Sequence, residues 1–86
     1  MDEERTLMAQ LIGEYIVSTR RDKHIRQYAL AARADIPQRT LRTLEKGEVD
    51  ISVYQLSRIV QALDEDIAVF WRKVRKNLEL MGEEEK

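Results

Sequence analysis

The stretch QYALAARADIPQRTLRTLEK, residues 27–46, decides the fold because it contains two short helical patterns separated by a break. In its first half, small or apolar residues recur at helical spacing at Leu30, Ala31 and Ala34. Pro37 ends that pattern, since a proline disfavours helical backbone in the residue before it, and it suits the first turn of a new helix. The stretch therefore predicts two short helices joined by a tight turn.

The second of these helices has an apolar face and a donor face. At about 100° per residue, Leu41 and Leu44 project to one side. The other side carries donor groups from Gln38, Arg39, Arg42, Thr43 and Lys46. Arginine pairs with guanine edges, glutamine with adenine edges and lysine with phosphate. The donor face therefore predicts DNA contact, although ordinary solvated residues on an amphipathic helix are the alternative.

The net charge of −1 conceals a segregation of charge along the chain. Residues 18–46 contain eight basic and three acidic residues, a balance of +5, so the rest of the chain is acidic. A basic segment in an acidic protein suits a local contact with a polyanion. A charge-mixed helical surface in solvent would have the same composition.

Length and composition exclude several classes of protein. The 86 residues suit one small domain. The absence of cysteine excludes disulfides, thiolate zinc sites and cysteine catalysis, and the single His24 belongs to no catalytic constellation. No apolar run approaches the roughly 18 residues that span a membrane. We therefore expect a cytoplasmic protein that is not an enzyme, with no cofactor, no metal and no membrane contact.

Helical spacing and capping signals predict an all-α fold. Five helices with short connections are expected at about residues 3–21, 26–36, 37–46, 52–63 and 66–81. Ser52 and Gln55 read as a capping box at the start of the fourth helix, and Gly82 is expected to end the fifth. The domain is predicted to span residues 1–82, followed by an acidic tail at 83–86.

Residues 27–46 resemble the helix-turn-helix of the Cro/C1-type (XRE-like) repressor family. Ala31 matches the small residue where the two motif helices cross closely, and Glu45 and Gly47 match the Glu-x-Gly ending of the motif. The resemblance extends over about residues 11–70. It implies a compact five-helix, lambda-repressor-like DNA-binding domain, here with an extended C-terminal helix.

Several positions depart from the family pattern. Asp35 replaces the usual turn glycine, although aspartate tolerates a left-handed backbone better than most residues. Arg26 replaces the usual serine or threonine at the start of the first motif helix, and Pro37 replaces a capping hydroxyl or amide. The loop after the motif carries Glu48 and Asp50, where many relatives have basic residues.

The donor face and the resemblance together predict the site residues. Base contacts in the major groove are expected from Gln38, Arg39, Arg42 and Thr43. Phosphate contacts are expected from Gln27, Thr40, Lys46 and Arg26. The resemblance also implies a structural ion pair between Arg20 and Glu45.

The predicted function is a sequence-specific regulator, expected to be a repressor, that binds a double-stranded DNA operator as a homodimer. The dimer surface is expected on the fifth helix, at Phe70, Trp71, Val74, Leu78 and Met81. The alternative for this stripe is that the first helix covers it within one subunit. The alternative function is a helix-turn-helix protein-interaction module, or an antitoxin-type autoregulator with a protein partner.

Overall fold

A computed structural model describes the backbone of residues 3–84 and the side chains of residues 3–80. Its five helices are α1 Glu3–Asp22, α2 Gln27–Ala34, α3 Gln38–Glu45, α4 Val53–Ala62 and α5 Ile67–Glu84. All regular structure in this range is helical, which confirms the predicted all-α fold. None of the described helices has the length and apolar character needed to cross a membrane.

The core lies where the five helices meet, and each helix contributes to it. α2 packs against α3 and α4, while α1 packs against α3 and α5, and α4 also packs against α5. The largest fully buried side chains are Ile16, Leu30, Leu41, Ile59, Val60, Leu63 and Phe70. These residues come from the apolar stripes that predicted the helices, so burial of those stripes fixes α3 between α1 and α2.

The helix starts follow the capping signals of the sequence. The Ser52 hydroxyl accepts a hydrogen bond from the Gln55 backbone N–H at 3.0 Å, as expected for the start of α4. At the starts of α2 and α3, Arg26 and Pro37 make no capping bond with their side chains. α2 and α3 therefore depend on packing rather than on caps.

The first four helices end on a residue with left-handed backbone. The φ angles at these positions are 57°, 57°, 70° and 58° for His24, Asp35, Gly47 and Asp64. At each end, the next residue donates its backbone N–H to a carbonyl of the last helical turn. The turn between α2 and α3 thus keeps the left-handed geometry at Asp35, at a cost of about 1–2 kcal/mol for a residue with a side chain.

Two glycines allow α1 to lie directly against the end of α3. A Cβ atom on Gly13 would lie 2.6 Å from the Glu45 carbonyl oxygen and 2.8 Å from that of Leu44. A Cβ atom on Gly47 would lie 2.8 Å from Cα of Gln10. Side chains at either position would separate α1 from α3.

The C-terminal helix differs from its prediction in length. α5 continues two residues beyond Gly82, to Glu84. A glycine inside a helix costs about 1 kcal/mol but does not end it, and the glutamates that follow are good helix formers. The predicted acidic tail at 83–86 is therefore helical at its first two residues, and residues 85 and 86 lie outside the described range.

The expected dimer stripe on α5 needs correction at two positions. Phe70 and Val74 are 0% and 2% exposed, because α1 and α4 cover them within one subunit. These two side chains belong to the core and are not available to a partner subunit. Leu78 packs partly against the core, Trp71 is 44% exposed, and Met81 lies beyond the described side chains.

Gly13→Ala should destabilise the protein, although alanine normally stabilises a helix interior relative to glycine. The added Cβ must displace the end of α3, and such overpacking costs about 1–3 kcal/mol. Urea unfolding measures this loss of the free energy of unfolding. Ser18→Ala, at an exposed position of the same helix, is the control and should change stability by less than about 0.5 kcal/mol. A Gly13→Ala variant as stable as the parent would contradict the close approach.

Candidate nucleic-acid interface

α3 presents its donor face to solvent. Leu41 and Leu44 are buried on the side that docks against α1 and α2. Four of the predicted contact residues on α3 and at its end are exposed, namely Gln38, Arg39, Arg42 and Lys46. Because the helix is anchored by its apolar side, these groups are held on a rigid element rather than on a loop.

The two threonines of α3 are placed differently from these exposed residues. Both are half-buried, and the Thr43 hydroxyl donates to the Arg39 carbonyl oxygen at 3.0 Å. Thr43 stays beside the arginines of the donor face. At 100° per residue, Thr40 projects between Thr43 and the buried Leu44, about 60° from the first and about 40° from the second, so it lies on the flank of the helix.

Arg20 and Glu45 lie within bonding distance and form a bidentate ion pair. Arg20 Nε lies 2.9 Å from Glu45 Oε2, and Arg20 Nη2 lies 3.1 Å from Glu45 Oε1. The two side chains are only 12% and 6% exposed. Arg20 Nη1 also donates to the Ile25 carbonyl oxygen at 3.1 Å. The pair therefore connects α1 and the loop after it to the last residue of α3.

Hydrogen bonds extend this pair towards the donor face. Gln27 Nε2 donates to Glu45 Oε1 at 3.0 Å, and Gln38 Nε2 donates to Gln27 Oε1 at 3.3 Å. We call Arg20, Glu45, Gln27 and Gln38 the polar chain. It runs from a nearly buried carboxylate to an exposed amide, so it fixes the orientation of both glutamines. The Gln27 amide carries a second N–H donor beyond the one bonded to Glu45.

The sequence model of the helix-turn-helix family matches residues 17–70, which is more than half of the chain. The chain belongs to the Cro/C1-type helix-turn-helix family. Members of this family are DNA-binding transcription regulators. The matched region contains α2 to α4 and the part of α1 that carries Arg20, so it includes the whole polar chain.

Solved structures of regulators share this fold. The clp gene regulator ClgR from Corynebacterium glutamicum has a TM-score of 0.80 at 23% identity, covering 91% of this chain and 83% of that one. The wild-type restriction-modification controller protein C.Esp1396I has a TM-score of 0.77 at 18% identity, covering 83% and 93%. The C.Esp1396I tetramer in complex with its natural 35 base-pair operator has a TM-score of 0.76 at 19% identity, covering 80% and 91%. No curated protein matches the chain in sequence.

Sequence reasoning missed one arginine of this family member that contacts the turn between α2 and α3. Arg58 Nε, on α4, donates to the Ala34 carbonyl oxygen at 2.9 Å. The two residues are 24 positions apart in the chain, and a backbone carbonyl carries no signal in the sequence. The contact follows only from the packing of α4 on α2.

The loop between α3 and α4 carries acidic and apolar side chains. Glu48, Val49 and Asp50 are exposed next to the C-terminal end of α3. Asp50 pairs with Arg5 of α1, which partly offsets the acidic charge of the loop. Glu48 and Lys46 are both exposed and only two positions apart, so opposite charges stand near each other at the end of α3.

The described side chains, residues 3–80, include no cluster of histidine, aspartate and glutamate that could hold a metal ion.

Burial raises the pKa of the Tyr15 phenol, and the Glu65 carboxylate adds to this shift, while Thr19 opposes it. The phenol is therefore neutral at physiological pH. It packs edge-on against Phe70 with ring centroids 4.7 Å apart, as a core residue.

Glu45→Ala should be strongly destabilising, because it leaves the nearly buried Arg20 guanidinium without its partner. Breaking a buried pair in this way costs about 3–5 kcal/mol. Glu79→Ala is the matched control, since Glu79 pairs with Arg75 at 3.5 Å while both side chains are largely exposed. Such a surface pair contributes about 0.5 kcal/mol or less. Urea unfolding of both variants measures the difference, and equal losses would contradict a structural role for the Arg20–Glu45 pair.

Proposed function

We propose that this family member is a sequence-specific repressor that binds operator DNA as a homodimer, with α3 in the major groove. The observation that carries the proposal is the division of α3 into a buried leucine side and an exposed face with Gln38, Arg39 and Arg42. An α-helix fits the major groove, where each base pair presents a distinct pattern of donors and acceptors. Because α3 is anchored by its leucine side, its exposed side is free to form hydrogen bonds with that pattern of donors and acceptors.

Base contacts are assigned to the exposed side of α3. Arg39 and Arg42 can each donate two parallel hydrogen bonds to O6 and N7 of a guanine. Gln38 can pair with an adenine, and its amide is oriented by the bond to Gln27. Thr43 presents its methyl group and a hydroxyl oxygen to the same groove, since its hydroxyl hydrogen is engaged within the helix.

Phosphate contacts are assigned to the ends and flanks of the motif. Gln27 has a second amide N–H beyond the one bonded to Glu45, and Lys46 lies exposed at the end of α3. Arg26 precedes an α2 start that has no side-chain cap, so the first N–H groups of α2 can donate hydrogen bonds to a phosphate oxygen beside Arg26. Thr40 is assigned to a phosphate because it lies on the flank of α3.

A homodimer is proposed because one helix-turn-helix reads only a few base pairs. Two copies related by a two-fold axis would place their α3 helices in successive major grooves, about 34 Å apart. The remaining candidate surface on α5 is formed by Ile67 and Trp71, which are exposed, with Leu78 at its edge. The operator complex of C.Esp1396I is a tetramer, which supports oligomeric binding for a protein with this fold.

A protein partner is the second candidate function. Val53 and Tyr54 are well exposed at the start of α4, and Val49 lies nearby in the acidic loop. Apolar and acidic side chains at one edge are better suited to a protein than to DNA. Under this alternative, α3 would contribute little to binding.

Arg39→Ala and Arg42→Ala should relax the base preference at separate operator positions. Each lost bidentate contact removes about 1–3 kcal/mol of discrimination. The operator is first defined by selection from a random DNA library with the purified protein, and the variants are then compared on single-base changes. Lys46→Ala is the control, because loss of a phosphate contact weakens all sequences alike and lowers the salt slope by about one unit.

Two outcomes would remove the proposal. A selection that enriches no motif at moderate salt would favour the protein-partner function. Folded Arg39→Ala and Arg42→Ala variants with parental affinity and base preference would show that the donor face does not read DNA.

Trp71→Arg should shift the protein from dimer towards monomer and weaken operator binding, because it places a charge in the proposed subunit interface. Sedimentation at several protein concentrations measures the association, and circular dichroism checks the fold. Leu80→Arg is the matched control, since Leu80 is also exposed on α5 but projects about 180° from Trp71. A parent protein that stays monomeric at high micromolar concentration and on DNA would contradict the dimer.

A further inference from the structure

Arg58 makes an unusual set of contacts for an arginine on the outer side of α4. Its Nε donates to the Ala34 carbonyl oxygen at 2.9 Å, and its Nη1 donates to the Tyr54 hydroxyl at 2.9 Å. Its Nη2 lies 3.9 Å from Oδ2 of Asp35, and the guanidinium carbon lies 5.5 Å from the centroid of the Tyr54 ring. The Arg58 side chain thus contacts the α2–α3 turn at Ala34 and Asp35, and Tyr54 of its own helix holds it there.

The α2–α3 turn needs such support because a residue with a side chain occupies its left-handed position. Asp35 has φ 57° and ψ 47°. Its N–H and that of Ile36 bond to the carbonyls of Ala32 and Ala31, so these two carbonyls at the end of α2 are satisfied. The Ala34 carbonyl has its bond from Arg58. Arg58 therefore satisfies a third carbonyl at this helix end.

Charge favours the same arrangement. The carbonyl end of α2 carries partial negative charge, and the largely exposed Asp35 carboxylate adds to it. Only three residues, 35–37, separate α2 from α3. The Arg58 guanidinium belongs to α4. It offsets the negative charge at the end of α2 and on Asp35, close to the start of α3.

We propose that Arg58 is a positioning residue for DNA recognition. It holds the α2–α3 turn in the conformation that sets the angle of α3, and it compensates for the left-handed aspartate. The Tyr54 ring and hydroxyl keep the guanidinium in place for this role. The inference rests on the proposed function for its effect on DNA, whereas the hold on the turn can be tested without DNA.

The first test measures amide hydrogen exchange in the DNA-free protein. Arg58→Ala should accelerate exchange at the N–H groups of Asp35 and Ile36 by about ten-fold relative to core amides such as that of Ile16. Arg33→Ala, at an exposed arginine of α2, is the matched control for loss of charge and should leave these rates unchanged. Unchanged exchange at Asp35 and Ile36 in Arg58→Ala would overturn the proposal.

The second test measures affinity for the selected operator over a range of salt concentrations. Arg58→Ala should weaken specific binding about ten-fold, with little change in non-specific binding and no change in the salt slope. In the Asp35→Gly background, where the turn needs less support, the same substitution should have a smaller effect. Such non-additivity is a signature of coupled residues.

The outcomes separate positioning from its alternatives. A salt slope reduced by about one unit, with parental exchange at the turn, would make Arg58 a phosphate contact instead. If Arg58→Ala weakens operator binding equally in the parent and in the Asp35→Gly background, Arg58 and Asp35 are not coupled. That result would overturn the proposal that Arg58 compensates for the left-handed aspartate. If the parent protein selects no DNA sequence, the proposed function fails, while the exchange rates alone decide whether Arg58 holds the turn.

Discussion

The ion pair between Arg20 and Glu45 is the interaction on which the placement of the donor face of α3 depends. Its two side chains are almost excluded from solvent, and they belong to α1 and to the end of α3. A buried pair is not by itself a strong source of stability, because desolvation offsets much of the attraction. Its value here is geometric, since it joins α1 to the end of α3 and leads through hydrogen bonds to Gln27 and Gln38.

Backbone proximity reinforces that constraint. The absence of side chains at Gly13 and Gly47 lets α1 touch the end of α3. The last turn of α3 is thus fixed by close packing and by charge, while its first turn follows the α2–α3 turn and the contact from Arg58. Because both ends of α3 are held in place, the rest of the domain sets the direction in which the exposed arginines between them point.

The sequence predicted what depends on local pattern and missed what depends on distant contacts. The five helices, the Ser52 cap and the two sides of α3 follow from spacing and residue type, so they could be predicted. The burial of Phe70 and Val74 could not, because the apolar stripe of α5 does not reveal how far α1 covers it. The Arg58 contact was equally hidden, since its partner is a backbone carbonyl on another helix. The Arg20–Glu45 pair was anticipated only through the family resemblance.

The left-handed helix ends at His24, Asp35 and Asp64 have an evolutionary consequence. Each holds a side chain where glycine would be less strained, so the chain retains sites at which single substitutions can increase stability. His24 and Asp64 lie outside the segment that carries the donor face. Under the proposed function, new operator preferences require changes on α3, and some of these will cost stability. Stabilising substitutions at the helix ends can compensate for that loss, so binding specificity in this lineage can diverge without loss of the fold.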